Sequence, residues 1–420
     1  MRKFREMLIC TAIAIVIGVQ LGFVSGFFGR LLDFIEPFCA KHYIILLPFL
    51  GVAGVVIIWL YKHISPNSEQ GLNLAIAYNM GEVGEHGEVK DVGHAHKIGE
   101  YPNAYVILKL AANAIMLLFG ASTGKEGTVA ACGAAIGDYT SRWFRLRKYS
   151  HILLISGVSA AVSGLFHTPL GGLFFSLEFS AVGLLYYQAL IPALTASYVS
   201  YYISTVCGFN AFHYTVQTAF EPDILHIALI LVAAVIFGLA GRAFVFCLEN
   251  AKKLYNDHIS NRYTGALVGG SVIAALMIIF RARYCGTGGA MVEEIFFNRN
   301  ALPYDFALKA IFTVLCITIG FSGGEMMPLM AIGASLGAVV SSLFGLPFEL
   351  TVALGCAAVY CSATNTLLAP VFIGIEMFGT GTALYMAAVC IVAFAVNGNH
   401  SVYTMQGHIP RSVYGALRHK

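Results

Sequence analysis

The sequence predicts an all-α polytopic membrane protein made of two inverted halves, with many tilted helices that stop inside the membrane. Three observations predict it. The 420 residues are 58% hydrophobic and only 11% charged, with a mean hydropathy of +0.75, whereas soluble proteins carry about 25% charged residues. The apolar sequence comes in recurring runs, several of them shorter than the roughly 20 residues that span a bilayer. Two glycine-rich segments, 120–137 and 320–337, align without a gap.

The composition excludes a soluble core of this length. The net charge of +3 is small, and no nucleic-acid partner is expected. Basic residues cluster locally: Arg2, Lys3 and Arg5; Arg142, Arg145, Arg147 and Lys148; Lys252 and Lys253; Arg411, Arg418 and Lys420. By the positive-inside rule both termini are expected in the cytoplasm. The first apolar run, 7–28, is too long for a signal-peptide core and reads as a retained span. The ten cysteines are scattered, with no CxxC. They read as small buried hydrophobes, and no metal or cofactor is expected.

Apolar runs follow in order at 8–34, 43–61, 105–118, 152–166, 184–202, 224–246, 266–280, 306–321, 348–359 and 382–396. Glycine, proline and polar clusters interrupt them. Helices that end within a bilayer are tolerated only against protein or a wet cavity, which argues for a channel or transporter core. The markedly polar stretch 81–100 carries Glu82, Glu85, Glu88, Asp91, Glu100, His86, His94 and His96. Those are metal-ligand types, but a solvated glycine-rich loop is the favoured reading.

In the aligned segments Gly120, Ser122, Gly124, Ala131, Gly133, Ala134 and Gly137 match Gly320, Ser322, Gly324, Ala331, Gly333, Ala334 and Gly337. A second pair supports them: Gly157, Ala160, Thr168, Leu170, Phe174 and Glu178 match Gly355, Ala358, Thr366, Leu368, Phe372 and Glu376. A weaker third pair sets Gln70–Leu74 against Thr287–Met291. The chain is therefore expected to be one transmembrane domain over 1–420, with halves at about 1–210 and 215–400 and a short C-terminal pore segment. An odd number of crossings per half would invert one copy. Small-residue helix packing also generates glycine matches, although it does not explain order and spacing held across two segments.

Each glycine cluster opens a helix. A helix N-terminus presents unpaired N–H groups and partial positive charge, and glycine lets a ligand approach the backbone. Two such ends meeting from opposite halves would make an anion site of backbone amides. Glu126 stands in the first cluster, in that same field. As a carboxylate it competes with a transported anion; protonated, it loses charge and can leave. One side chain can thus couple proton to anion movement. The alternative is a structural pair with Lys125, which otherwise shapes the loop or its local field. Glu325 stands in the second cluster as a second station, or as an acid serving only the helix dipole. Glu178 and Glu376 read as structural acids at helix ends.

With these residues in view the chain resembles the CLC family of chloride channels and proton-coupled anion exchangers. Gly124-Lys125-Glu126-Gly127 resembles that family's gating-glutamate motif, and Gly323-Gly324-Glu325-Met326-Met327-Pro328 its second pore motif. Phe166 to Leu173 with Glu178, and Gly286 to Gly289, are also similar, and the match runs in order over about 5–410. Departures choose a branch. Thr128 follows the gating motif where the chloride-selective pattern has proline, and Gln70-Gly71-Leu72-Asn73-Leu74 replaces the serine-bearing first pore motif. Phe179 stands where exchangers carry a second, inner glutamate. Thr128 and Glu325 fit the fluoride/proton antiporter branch, although Met327 stands where that branch tends to carry threonine.

The resemblance implies Glu126 and Glu325 as gating and proton-transfer residues. It implies an anion path along Gln70, Gly71, Asn73, Gly124, Lys125, Gly127, Thr128, Gly324, Met326, Met327 and Tyr403. It also implies a bacterial-type homodimer in the inner or plasma membrane, with one pathway per subunit, exporting fluoride against protons and having no cytoplasmic regulatory domain. For Tyr403 a place in an interfacial belt remains the alternative. A chloride or nitrate channel or exchanger is the competing function. A membrane-embedded metal-dependent hydrolase using His167 or the 81–100 histidines is remote, because neither HExxH nor GxSxG occurs.

Overall fold

Apolar runs fold as helices up to the glycines, prolines and polar clusters that break them. The computed structural model describes residues 2–65, 68–80, 101–217 and 223–407, so the 81–100 stretch and its histidines lie outside the described residues. The first half comprises α1 (Arg2–Leu46), α2 (Leu50–Ile64), α3 (Leu72–Met80), α4 (Tyr105–Leu118), α5 (Glu126–Trp143), α6 (Ser150–Phe166), α7 (Pro169–Glu178) and α8 (Leu190–Val206). The second comprises α9 (Ile224–His258), α10 (Arg262–Ile279), α11 (Gly289–Asn298), α12 (Asp305–Ile319), α13 (Met326–Phe344), α14 (Phe348–Thr364), α15 (Leu368–Phe378) and α16 (Ala383–Asn397). Six of the described stretches are long and apolar enough to cross a membrane. The helices α4, α7 and α15, of 14, 10 and 11 residues, are too short to do so.

Helices correspond across the halves from α4 and α12 through α8 and α16. Within the aligned segments, Gly120 and Gly320 both take the left-handed conformation before the loops that lead to α5 and α13. His167 and Asn365 both take it at the ends of α6 and α14. The glycine stripes have a packing reason. Gly133 on α5 lies against the Gly157 carbonyl on α6, and Gly333 on α13 lies against the Gly355 carbonyl on α14. A Cβ at any of these four positions would collide with backbone. The close approach lets α6 and α14 sit at the centres of their halves, where 152–166 and 350–364 are buried throughout.

The halves also grip each other by exchange. The Glu178 carboxylate ends α7 and accepts from the Leu368 and Ala369 amides at the start of α15, both at 3.0 Å. The Glu376 carboxylate, in the last turn of α15, accepts from the Leu170 and Gly171 amides of α7, at 3.0 and 2.8 Å. Each acid thus caps the other half's helix, where carboxylate charge is favoured. Between them the Phe174 and Phe372 rings stack with centroids 4.3 Å apart.

Candidate functional site

The loops that lead into α5 and α13 meet. The Gly124 N–H donates to the Gly324 carbonyl at 2.5 Å, and the Gly324 N–H donates to the Gly124 carbonyl at 2.8 Å. Only glycine permits this approach, since a Cβ on Gly324 would strike the Gly127 amide at 2.6 Å. The Asn113 side-chain amide, from α4, donates to the Gly124 and Ser322 carbonyls at 3.2 and 3.1 Å and latches the two loops. Ser122 is held by Thr313 at 3.1 Å and by the Lys309 ammonium at 2.9 Å, while Ser322 accepts from the Tyr61 hydroxyl at 2.8 Å. The Gly124 and Gly324 amide hydrogens satisfy each other, and the two glycines join the loops.

Glu126 is the first residue of α5 and only 1% exposed. Its Oε2 accepts from the Lys125 amide at 3.0 Å, and its Oε1 has no hydrogen-bond partner. The backbone amides of Glu126 itself and of Met327, at the start of α13, also act on the carboxylate. The acid of one half therefore sits in the positive field of both helix ends.

Two cavities approach this point. A cavity of about 870 Å³ reaches Lys125, Glu126 and Met327 and is flanked by Asp33, Glu36 and Glu293. A second, of about 310 Å³, reaches Gln70, Gly71, Asn73, Gly127, Gly324, Glu325 and Tyr403, with Lys109 and Lys252 in its wall. Glu126 lines one cavity and its neighbour Gly127 the other. Gly124, Thr128 and Met326 line neither. Met326 is packed in the core, and the Thr128 hydroxyl is buried with no hydrogen-bond partner.

Glu325 precedes α13, and Lys252, Tyr403 and Lys109 all act on its carboxylate. Tyr403 lies on the segment after α16, which docks onto the end of α14. The Val402 amide donates to the Ala363 carbonyl at 2.9 Å, and the Ser401 hydroxyl donates to the Thr364 carbonyl at 3.2 Å. The Asn73 side-chain oxygen accepts from the Met405 amide at 3.4 Å, so the first half also holds this segment. The Tyr403 ring is 3% exposed and borders the smaller cavity. His167, whose backbone N–H caps α6 on the Ser163 carbonyl, packs its ring edge-on to Tyr201 and Phe209, with its Nε2 3.4 Å from the Ser204 hydroxyl.

Sequence reasoning passed over Lys109, Asn113, Lys309 and Tyr360. A signal existed for the lysines: Lys109 and Lys309 stand at the same spacing as Gly120 and Gly320. Asn113 and Tyr360 give none, because their importance comes from what the fold brings near them.

The sequence profile described as voltage gated chloride channel matches residues 53–398. A chloride/fluoride channel protein from Pseudomonas syringae pv. tomato is 31% identical over 408 residues, covering 94% of this chain and 86% of that protein. The crystal structure of a CLC-type fluoride/proton antiporter superposes with a TM-score of 0.91 at 34% identity, covering 97% of this chain and 99% of that one. A slow cyanobacterial Cl⁻/H⁺ antiporter shares the fold, with a TM-score of 0.78 at 17% identity over 92% of this chain and 94% of that one.

Proposed function

We propose that this chain, which belongs to the voltage gated chloride channel family, is a fluoride/proton antiporter, exporting fluoride against inward proton flow through a pathway in each subunit of a homodimer. One observation carries the reading: a buried carboxylate, Glu126, stands between two cavities in the field of two helix N-termini. An anion entering that place must displace the acid, and a proton neutralising the acid releases it. Occupancy by fluoride and protonation of Glu126 are thereby linked. Fluoride holds its water strongly, so the pathway must offer donors in exchange; the amides at the ends of α5 and α13 are of that kind.

Glu325 supplies the second acid. Phe179 occupies the family's usual inner-glutamate position, and the neighbouring Glu178 is engaged by the α15 amides. Glu325 faces the smaller cavity instead, between Lys109, Lys252 and Tyr403. The basic N-terminus favours a cytoplasmic start for α1. On that orientation the larger cavity, bordered by Asp33 and Glu36 far along α1, opens outward and Glu325 lies inward.

The test is flux from proteoliposomes loaded with potassium fluoride or potassium chloride, with a proton-sensitive dye. Wild type is expected to release fluoride faster than chloride and to take up protons as it does so. Glu126→Gln is expected to abolish proton uptake. Equal rates for the two halides defeat the fluoride reading in favour of a chloride-type transporter. Proton uptake unchanged in Glu126→Gln defeats the coupling role.

A further inference from the structure

Around the first acid three buried side-chain oxygens lack a side-chain hydrogen-bond partner: Glu126 Oε1, Thr128 Oγ1 two residues on, and the hydroxyl of Tyr360, on which the Glu126 carboxylate acts. Buried polar groups in folded proteins are almost always paired, and leaving one unpaired costs about 1–3 kcal/mol. Three such oxygens about one acid point to an occupant that they share.

Tyr360 is the unexpected member. It lies on α14, is 1% exposed, and lines neither cavity. Its ring stands one turn before Ala363 and Thr364, whose carbonyls anchor the Tyr403 segment. The carboxylates acting on its hydroxyl are those of Glu325, Glu178 and Glu126, and the Tyr403 phenol faces both Glu325 and Tyr360. Tyr360 therefore sits between the inner acid and the outer acid, deeper than either cavity reaches. The repeat sharpens the point. The alignment that sets Gly157 against Gly355 sets Val162 against Tyr360. Val162 is equally buried at 1%, so the fold is content with an apolar side chain at this place in the other half.

We propose that the Tyr360 hydroxyl is a donor to the transported anion, completing with Tyr403 and the helix-end amides the site from which Glu126 is displaced. A phenol among carboxylates can donate to an anion without adding charge. When the acid occupies the site the O–H turns to the carboxylate, and when fluoride enters it turns to the ion. The ligand class is a small, strongly hydrated halide, for which each replacement donor matters most. This rests on the antiporter reading above.

The experiment compares wild type with Tyr360→Phe, which keeps the ring and removes only the oxygen. Sodium fluoride binding is read by calorimetry on solubilised protein, and fluoride efflux is read from proteoliposomes. The variant should keep the wild-type melting midpoint, yet bind and release fluoride about tenfold less well, the worth of one hydrogen bond to an ion. Wild-type binding and efflux in the variant overturn the proposal. So does unchanged binding with lost proton uptake, which moves the hydroxyl to the proton's route. If the variant misfolds, fluorotyrosine placed at 360 reads the contact in folded protein: its resonance should shift on adding sodium fluoride, and indifference overturns the proposal. Wild-type vesicles that release chloride but not fluoride defeat the selectivity reading alone, and the same comparison run with chloride still tests the hydroxyl.

Discussion

Lys109 and Lys309 occupy matching places in α4 and α12, and both ammonium groups are buried, at 3% and 0% exposure. Each lies beneath a glycine in the left-handed conformation, Gly71 or Gly288. Their surroundings then diverge. Lys309 donates to Ser122 Oγ at 2.9 Å and to the Tyr284 and Gly286 carbonyls at 3.2 and 2.9 Å, which uses all three of its protons. Lys109 lies over the Tyr61 ring, 5.2 Å from its centroid, and borders the cavity that holds Glu325. Lys309→Met should lower stability by about 1–3 kcal/mol, because buried carbonyls lose their donor; thermal unfolding in detergent measures it. Lys109→Met should slow fluoride entry from the inner side about tenfold, because a cation lining the cavity is removed; unchanged entry in a proteoliposome flux assay would exclude Lys109 from the pathway.

At the scale of elements, two devices hold the helix ends where an ion could meet them. The first is glycine contact between neighbouring helices. Gly133→Ala and Gly355→Ala each drive a methyl into a facing backbone carbonyl, which only separation of the helices relieves. Overpacking of this kind costs about 1–3 kcal/mol or more, so both variants should give sharply reduced yields of monodisperse protein on size exclusion. Gly320→Ala meets no atom within 4 Å, and its penalty is limited to the strain of a positive φ, so it should survive purification. The second device is the exchange of carboxylates between α7 and α15. Glu178→Gln and Glu376→Gln should each lower the melting midpoint while leaving the proton-to-fluoride ratio at its wild-type value, because each acid is engaged by two amides of the opposite helix. A changed ratio in Glu178→Gln would instead put that acid on the proton route.

At the scale of the molecule, the pathway is assembled from both halves and the chain's last described segment. That segment lies on α14 through Val402 and Ser401, pairs its Gly407 carbonyl with the Val182 amide at 2.9 Å, and reaches the first half again at Asn73. Truncation after Gly398 leaves every described helix but removes Tyr403 from the wall. Helix content by circular dichroism should be unchanged and coupled fluoride transport lost. Retained coupling after this truncation would show that the segment is dispensable.

How much of this was legible beforehand follows from what kind of information each feature needs. Helix starts at Glu126 and just after Glu325, the matching glycines, and the acids at 178 and 376 could be read directly, because they depend on local spacing and on a repeat visible without gaps. The reason for those acids could not, since the amides that hold Glu178 lie 190 and 191 positions away. Nor could the fate of the Gly124 and Gly324 amides, which an isolated loop would offer to an ion but which the facing loop takes. Tyr360 looked like one more apolar-run aromatic until folding set it among three carboxylates. By itself the sequence determined a bilayer-embedded, repeated chain with an acid at a broken helix, since hydropathy, period and helix-breaking are properties of neighbours along the chain. Only the tertiary structure decided which amides remain for an ion, which lysine faces the pathway, and which hydroxyls stand in the wall, because burial and partnership are set by segments far apart in sequence.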